Sequence, residues 1–338
     1  MDQTPQNKED YFQLVPRCYT EMVDLPVIEI DGINHQSRRT IIVEDIANAC
    51  KTYGFFQIVN HGIPQKVLDG ALSTASSFFE LPTNEKMKYR SDDVKSPVRY
   101  GTSLKDNAKY RRVVLKHYAN PLDKYIALWP DNPHDYREKM SEYAKATQKL
   151  GVSLMGIITE GLGLGPEYKS DKMVKGVQAI MVNSYPPNPA AAQPDLELGL
   201  PPHSDCSCLS IVLQGSRGLQ IQDSDGIWRD VSYVKGALVV NIGDCVEVMS
   251  NGVYKSVVHR VKILSNNFTR ISIASLHSSA LDEKVEVAEE LVDDEKRPKG
   301  YKESTFNDFL NFISRNDISE GNYFIDTLRL VQSFVVPK

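Results

Sequence analysis

The sequence predicts an α+β protein with a mainly β core, a double-stranded β-helix (jelly-roll) flanked by N-terminal and C-terminal helices. Three observations predict it. After Val177 the chain breaks into short β-rich runs, Ala179–Val182, Leu209–Leu213, Leu219–Gln222, Ala237–Val240 and Arg270–Ala274, spaced over about 100 residues as in antiparallel barrels. Clusters of Gly, Asp, Asn and Ser separate these runs, and Asp225-Gly226 and Asn251-Gly252 are hairpin signals. On either side of this zone apolar residues recur at helical spacing instead.

The 338 residues divide into an N-terminal mixed region (1–175), the barrel (176–280) and C-terminal helices (281–338), expected to form one compact unit. Composition is that of a soluble globular protein, with 41% hydrophobic and 25% charged residues. The net charge of −5, with Lys and Arg scattered singly, leaves no basic stripe for a nucleic acid. Met1–Tyr11 is polar and acidic, and no run approaches the roughly 18 apolar residues of a membrane span. A cytoplasmic protein is expected, with no membrane partner. Nothing suggests oligomerisation, so a monomer is expected. Five widely spread cysteines (Cys18, Cys50, Cys206, Cys208, Cys245) do not suggest a disulfide framework. Cys206-x-Cys208 invites a zinc reading, but on a strand both would point away from the face carrying His203 and Asp205, and no second pair exists.

In chain order, Leu25–Asp31 reads as an opening strand, and Val43, Ile46, Ala47 and Cys50 as a helix ended by Gly54. Phe55–Asn60 reads as a buried strand followed by a turn at His61-Gly62. Pro64 fits the first turn of a helix reaching Phe79, with Val67, Leu68, Ala71, Leu72, Ala75 and Phe78 as its apolar stripe. Residues 91–107 lose periodicity and read as a loop bordering a pocket. Tyr136, Met140, Tyr143, Ala144, Thr147, Leu150, Leu154 and Ile158 spell a long helix ending near Gly163 and Gly165. Beyond the barrel, Phe306, Phe309, Leu310 and Ile313 restore helical spacing, and a last helix is expected over 326–334. Gly243-Asp244 reads as a turn.

The chemistry lies between Asn183 and Ser272. His203-Ser-Asp205 places two donors at the two-residue period of a strand, where both can reach one ion. His259 follows far enough on for intervening strands to bring it back across a cavity. Two imidazoles and a carboxylate leave half of an octahedral metal open, the ligand pattern of non-haem Fe(II) oxygenases. Arg270-x-Ser272 adds a rigid guanidinium fork and a hydroxyl, suited to a distal carboxylate of a cosubstrate.

The ordered set Asn183-x-Tyr185-Pro-Pro, His203-x-Asp205, Gly243-Asp244, Ser250-Asn-Gly-x-Tyr-Lys-Ser, His259-Arg260 and Arg270-x-Ser272 resembles the plant 2-oxoglutarate- and Fe(II)-dependent dioxygenases of specialised metabolism. Tyr53–Gly62, Phe78–Pro82 and Ile126–Arg137 resemble the N-terminal and middle segments of that family, nearest to its flavanone-hydroxylase-like and salicylate-hydroxylase-like members. The resemblance implies Fe(II) held by His203, Asp205 and His259. It implies 2-oxoglutarate bound by Arg270, Ser272, Tyr185 and Asn183, O2 as oxidant, and ascorbate as a support of activity. It also implies that a small plant metabolite is hydroxylated or desaturated as 2-oxoglutarate becomes succinate and CO2.

Tyr110, His117 and Leu276 match positions that often line the family's substrate cavity, with core packing as the competing role. His277 faces either pocket or solvent. His35 and His134 read as surface residues, and His61 as fixing a turn. An H-x-D alone occurs by chance in many proteins; the ordered set is what makes it a ligand pair. The chain departs from the family at Asn188 and in the Ala190–Ala192 insertion, and has Ile180-Met-Val182 where several flavonoid-oxidising relatives carry a lysine. Two other readings remain: an iron oxidase of the same fold that ignores 2-oxoglutarate, and a non-catalytic barrel that binds a small molecule. Intact Tyr185, Arg270 and Ser272 weigh against the first, and the complete triad against the second.

Overall fold

Two mainly antiparallel sheets face one another, each with one parallel pair at its edge (Val27–Glu29 with Phe55–Val59 in the larger, Met22–Val23 with Trp228–Val231 in the smaller), and helices cover the outer surface of the larger. The structure, a computed structural model, describes residues 21–33, 35–102, 110–187, 198–264, 267–316 and 320–330. Cys18, the Asn188 and Ala190–Ala192 departures and residues 331–334 of the expected last helix lie outside them.

The N-terminal region runs β1 (Met22–Val23), β2 (Val27–Glu29), α1 (Gln36–Thr52), β3 (Phe55–Val59), α2 (Gln65–Glu80), α3 (Thr83–Met87), β4 (Val98–Gly101), β5 (Val113–Asn120), α4 (Leu122–Tyr125), α5 (Tyr136–Gly161) and α6 (Glu167–Val174). The barrel region adds β6 (Val177–Tyr185), β7 (Leu198–His203), β8 (Leu209–Gln214), β9 (Leu219–Gln222), β10 (Trp228–Val231), β11 (Leu238–Ile242), α7 (Asp244–Met249), β12 (His259–Lys262) and β13 (Arg270–Ser278). Helices α8 (Phe306–Arg315) and α9 (Phe324–Leu328) follow.

The larger sheet has the order β2-β3-β11-β8-β13-β6-β5-β4 and the smaller β1-β10-β9-β12-β7. Alternation along each strand of the larger sheet separates two apolar layers. Phe56, Ile58, Leu115, Ile180, Val182, Leu209, Ile211, Leu238, Val240 and Ile273 pack outward on α1, α2 and α5. Phe55, Val212 and Val239 point inward, meeting Leu219, Ile221 and Val231 of the smaller sheet. At about 1.5–3 kcal/mol per buried large side chain, the outer layer anchors the helices and fixes which face of each strand looks into the barrel.

Local chemistry sets the boundaries. Pro64 caps α2 from outside at φ −60° rather than occupying its first turn. His61 does fix the turn before it: Ile63 N–H donates to its Nδ1 (3.2 Å) and its Nε2 bonds Gly236 O (3.0 Å). Thr305 and Asp308 form a reciprocal capping box at α8. The C-terminal segment is tied to the barrel through Glu247 of α7, whose buried carboxylate accepts from Tyr301 Oη (2.8 Å), Ser256 N (2.7 Å) and Arg329 Nη2 (3.3 Å).

Several expectations are corrected. The stretch 91–107 is not all loop, because β4 pairs antiparallel with β5, Arg99 opposite Lys116; its short strand lacks the apolar alternation that would reveal it. Asp225-Gly226 does turn β9 into β10, but Asn251-Gly252 joins no strands. Both residues take left-handed φ (49° and 74°) in a turn just after α7. Gly243-Asp244 opens that helix instead of making a turn, and Asp244 is buried. Among the described residues the last helix is a single short turn, Phe324–Leu328, which starts two residues before the expected one and ends at Leu328.

Candidate metal centre and cosubstrate pocket

Strands β7 and β12 lie side by side, and their register sets His203 directly opposite His259. The imidazole centroids are 4.2 Å apart, and Phe55 packs edge-on against His259 at 5.3 Å. Each ring is oriented from behind: His203 Nδ1 bonds Pro201 O (2.9 Å) and His259 Nδ1 bonds Val257 O (3.1 Å). A carbonyl only accepts, so each Nδ1 carries a proton, and in the neutral ring this tautomer leaves the Nε2 lone pair free to bind a metal. Both Nε2 atoms face Asp205 Oδ1, at 3.7 and 3.8 Å.

Asp205 is not on the strand. β7 ends at His203, and Asp205 lies in the connection to β8, where its carbonyl accepts from Asp244 N at the start of α7 (2.7 Å). Its Oδ2 accepts from Ser210 Oγ (2.6 Å) and Asn241 Nδ2 (2.9 Å), which turns Oδ1 toward the imidazoles. Burial alone would raise the Asp205 pKa, but the two imidazoles and these hydrogen bonds bring it below its usual value. Burial, with His259 next in weight, lowers the His203 pKa to about 3. The ligand atoms of the three residues all lie within 4.8 Å of one another, the one such group among the described residues. Two imidazoles and a carboxylate, each held by a hydrogen bond on its far side, fit a ferrous ion with open positions.

Ser210 and Asn241 are invisible to motif reading. The available signal was a lone amide in the apolar run Leu238–Ile242, every residue of which is buried. Asn241→Ala or Ser210→Ala is expected to weaken metal binding by about 10–100-fold. Titration of the metal-free protein with Mn(II) measures it, and affinities within twofold of the parent would show that Asp205 needs neither.

The candidate pocket for an organic acid lies on the facing sheet. Register pairs Arg270 with Tyr185 and Ser272 with Asn183 across β13 and β6, so all four point inward. Arg270 is 6% exposed. Its Nε donates to Arg217 O (3.0 Å) and its Nη2 to Gln214 Oε1 (3.1 Å); Nη1 lies 3.3 Å from Ser272 Oγ. Its guanidinium sits 5.0 Å from the centroid of the Tyr185 ring. Among the described residues no carboxylate acts on it, and burial lowers its pKa. A buried guanidinium without an anion suits a site that receives one. Asn183 donates to Met181 O (2.9 Å), but its buried Oδ1 has no partner. Gly199 makes the close packing possible, since a Cβ there would meet Tyr185 Cδ1 at 2.4 Å. Gln214, which no motif marked, is the further residue that holds the Arg270 guanidinium in this candidate pocket.

Alternation decides the remaining candidates. Val114 pairs with Asn183, so residues 114, 116 and 118 of β5 look inward and His117 looks out. His117 bonds Tyr136 Oη (3.0 Å) and stacks on Trp129 at 4.2 Å. His277 likewise leaves the barrel, bonding Ser275 Oγ (2.9 Å) and Gln148 Oε1 (3.0 Å) beneath α5. The expectation of substrate contact is corrected for both: each is helix-facing core. Leu276 shares the parity of Arg270 and looks inward. Tyr110 is buried at the entry to β5.

His117 and His277 make a pH prediction. Burial, aided at His117 by the Lys116 charge, lowers both to about 3 from 6.5. Between those values the unfolded chain binds a proton at each site and the folded chain does not. Stability is therefore retained above pH 6.5 and lost as pH falls, by up to about 1.4 kcal/mol per pH unit for each group. Denaturant midpoints between pH 6.5 and 4.5 are expected to drop less steeply for the His117→Gln/His277→Gln double variant; parallel slopes would refute it.

Comparison with known proteins agrees with this geometry. Residues 177–279 match the 2OG-Fe(II) oxygenase superfamily, and residues 25–140 match the non-haem dioxygenase in morphine synthesis N-terminal family. The chain is 46% identical over 308 residues to 2-oxoglutarate-dependent dioxygenase 21, chloroplastic, of Oryza sativa subsp. japonica (90% of this chain, 91% of that protein). It is 44% identical over 309 residues to flavanone 3-dioxygenase 3 of the same plant (90% and 93%). The crystal structure of JOX2 in complex with 2OG, Fe and JA superposes with a TM-score of 0.78 at 29% identity, covering 89% of this chain and 88% of that one.

Proposed function

This chain belongs to the 2OG-Fe(II) oxygenase superfamily and is a 2-oxoglutarate-dependent dioxygenase acting on a small molecule; from that premise we propose which side chains do the work and on what. His203, Asp205 and His259 hold Fe(II). Arg270, with Ser272, Tyr185 and Asn183, holds the distal carboxylate and chain of 2-oxoglutarate. The substrate is a small plant specialised metabolite, seated between the metal and an inner wall that includes Tyr110 and Leu276. The observation that carries the assignment is the convergence of three ligand atoms within 4.8 Å, opposite a buried guanidinium that has no anionic partner among the described residues.

When bound, the ferrous ion couples decarboxylation of 2-oxoglutarate by O2 to removal of hydrogen from the substrate, giving hydroxylation or desaturation. The protein's part is positional. The carbonyls of Pro201 and Val257 fix the imidazole tautomers, and Ser210 with Asn241 fixes the carboxylate rotamer. The fork of Arg270 sets the cosubstrate at one depth, where little water screens the contact. Hydroxyls of Tyr185 and Ser272 complete the cradle.

Purified protein incubated with Fe(II), 2-oxoglutarate, ascorbate and a plant metabolite extract is expected to release succinate in step with new species gaining one oxygen or losing two hydrogens. Turnover of an extract compound without any need for 2-oxoglutarate would overturn the cosubstrate assignment. Among the described residues no helix is long and apolar enough to cross a membrane. A cytoplasmic monomer belongs to this proposal, tested by a fluorescent fusion and light scattering.

A further inference from the structure

The inner surface of the β4–β5 edge carries three cations that the metal and cosubstrate roles leave unused. Arg99 and Lys116 are directly opposed in the antiparallel register, so both project from the same face, and like charges so placed repel. Lys116 is 8% exposed, and its ammonium is held by Val94 O (3.0 Å) and Ser96 O (2.7 Å). Arg99 donates its Nε to Ser91 O (2.8 Å). These are neutral acceptors, and each cation keeps further donors. Arg112 precedes β5 by one residue, and its N–H reaches Gly199 O of β7 (3.1 Å). It lies just ahead of the paired strand, and its charge interacts with Tyr185, with Asp205 and, repulsively, with Arg99. Its Nε is buried and has no hydrogen-bond partner.

Electrostatic balance gives the cluster its meaning. A dipositive ion, a dianionic cosubstrate, Asp205 and Arg270 together cancel, so the centre asks for no more positive charge. Among the described residues no carboxylate hydrogen-bonds Arg99, Arg112 or Lys116; the acids acting on them are the more distant Asp92 on Arg99, Asp93 on Lys116 and Asp205, already engaged with the two imidazoles, on Arg112. Cations placed together at low dielectric need a counter-anion, and one approaching Arg112 comes within the field of Asp205.

Resting on the functional reading above, we propose that the substrate is a small organic acid whose carboxylate docks on Arg112, Arg99 and Lys116, which makes this edge the specificity-determining wall of the cavity. The acid's charge completes the site, and its carbon skeleton extends from the β4–β5 edge toward the triad. A neutral analogue of the same shape leaves the cations unpaired and binds weakly.

The test uses protein loaded with Mn(II) and saturating 2-oxoglutarate, so that no turnover occurs and Arg270 is occupied. Calorimetric titrations with benzoate and cinnamate are compared with those of their methyl esters. Each acid is expected to bind at least tenfold tighter than its ester. Arg112→Gln and Lys116→Gln are each expected to erase that preference, and Arg112→Lys to retain part of it, with circular dichroism and 2-oxoglutarate affinity unchanged. Acids that bind no better than esters, or that do not bind, overturn the proposal. So does a loss of more than tenfold in 2-oxoglutarate affinity in Arg112→Gln, which would place that residue in the cosubstrate pocket. Failure of the parent protein to bind 2-oxoglutarate would instead overturn the functional reading.

Discussion

Asp205→Ala is expected to abolish substrate-stimulated succinate release and to weaken Fe(II) binding by more than about 100-fold, beyond the loss usual for a group behind a ligand. The variant keeps both imidazoles, but nothing then supplies negative charge at the point where their Nε2 atoms converge. Ser210 and Asn241 lose the acceptor they share, which strands the Asn241 amide and leaves Ser210 only its contact with Ser207. Asp205→Asn is the sharper comparison. It preserves volume and a carbonyl oxygen yet removes the charge, and its expected Fe(II) affinity stays well below that of the parent. Metal titration under anaerobic conditions reads both variants. Near-parental affinity in Asp205→Ala would mean that the ion is held elsewhere.

Arg270→Ala is expected to raise the dissociation constant for 2-oxoglutarate by roughly 30- to 5,000-fold, the equivalent of about 2–5 kcal/mol for truncating one side of a buried charge pair. Fe(II) affinity should be unchanged, because Arg270 lies on β13 of the larger sheet while both histidines lie on the smaller. Arg270→Lys keeps the charge but loses the planar fork. An ammonium there cannot serve both the Arg217 carbonyl and Gln214 that now hold the guanidinium, so affinity should fall about tenfold or more. Calorimetry of the Mn(II)-loaded protein separates the two effects, and an unchanged 2-oxoglutarate affinity in Arg270→Ala would remove the residue from the pocket.

The residues that announced themselves in the sequence share a property: their chemistry is rare and their spacing local. His203-x-Asp205 and Arg270-x-Ser272 could be read because two-residue spacing has a direct geometric meaning, even though Asp205 lies past the strand end. The long helix and the strands β3, β8 and β13 were legible because their apolar periodicity is strong. Hidden features depend on pairing between distant segments. Strand β4 has no pattern of its own and exists because β5 offers it an edge. Asn241 acts on Asp205 only once β11 packs beside β8. Strand parity decided the histidines: His117 and His277 lie within one residue of inward-facing positions, and a one-residue difference reverses the face. No local signal at either position reports which side of the sheet is covered by α5.

The central claim is that one ferrous ion is shared by His203, Asp205 and His259. Anomalous diffraction at the iron edge, from crystals grown without oxygen in the presence of Fe(II) and 2-oxoglutarate, tests it most directly. A single strong peak is expected within bonding distance of both Nε2 atoms and of Asp205 Oδ1, with the far carboxylate of 2-oxoglutarate on Arg270. Iron bound anywhere else, or density for the acid that avoids Arg270, would contradict the account.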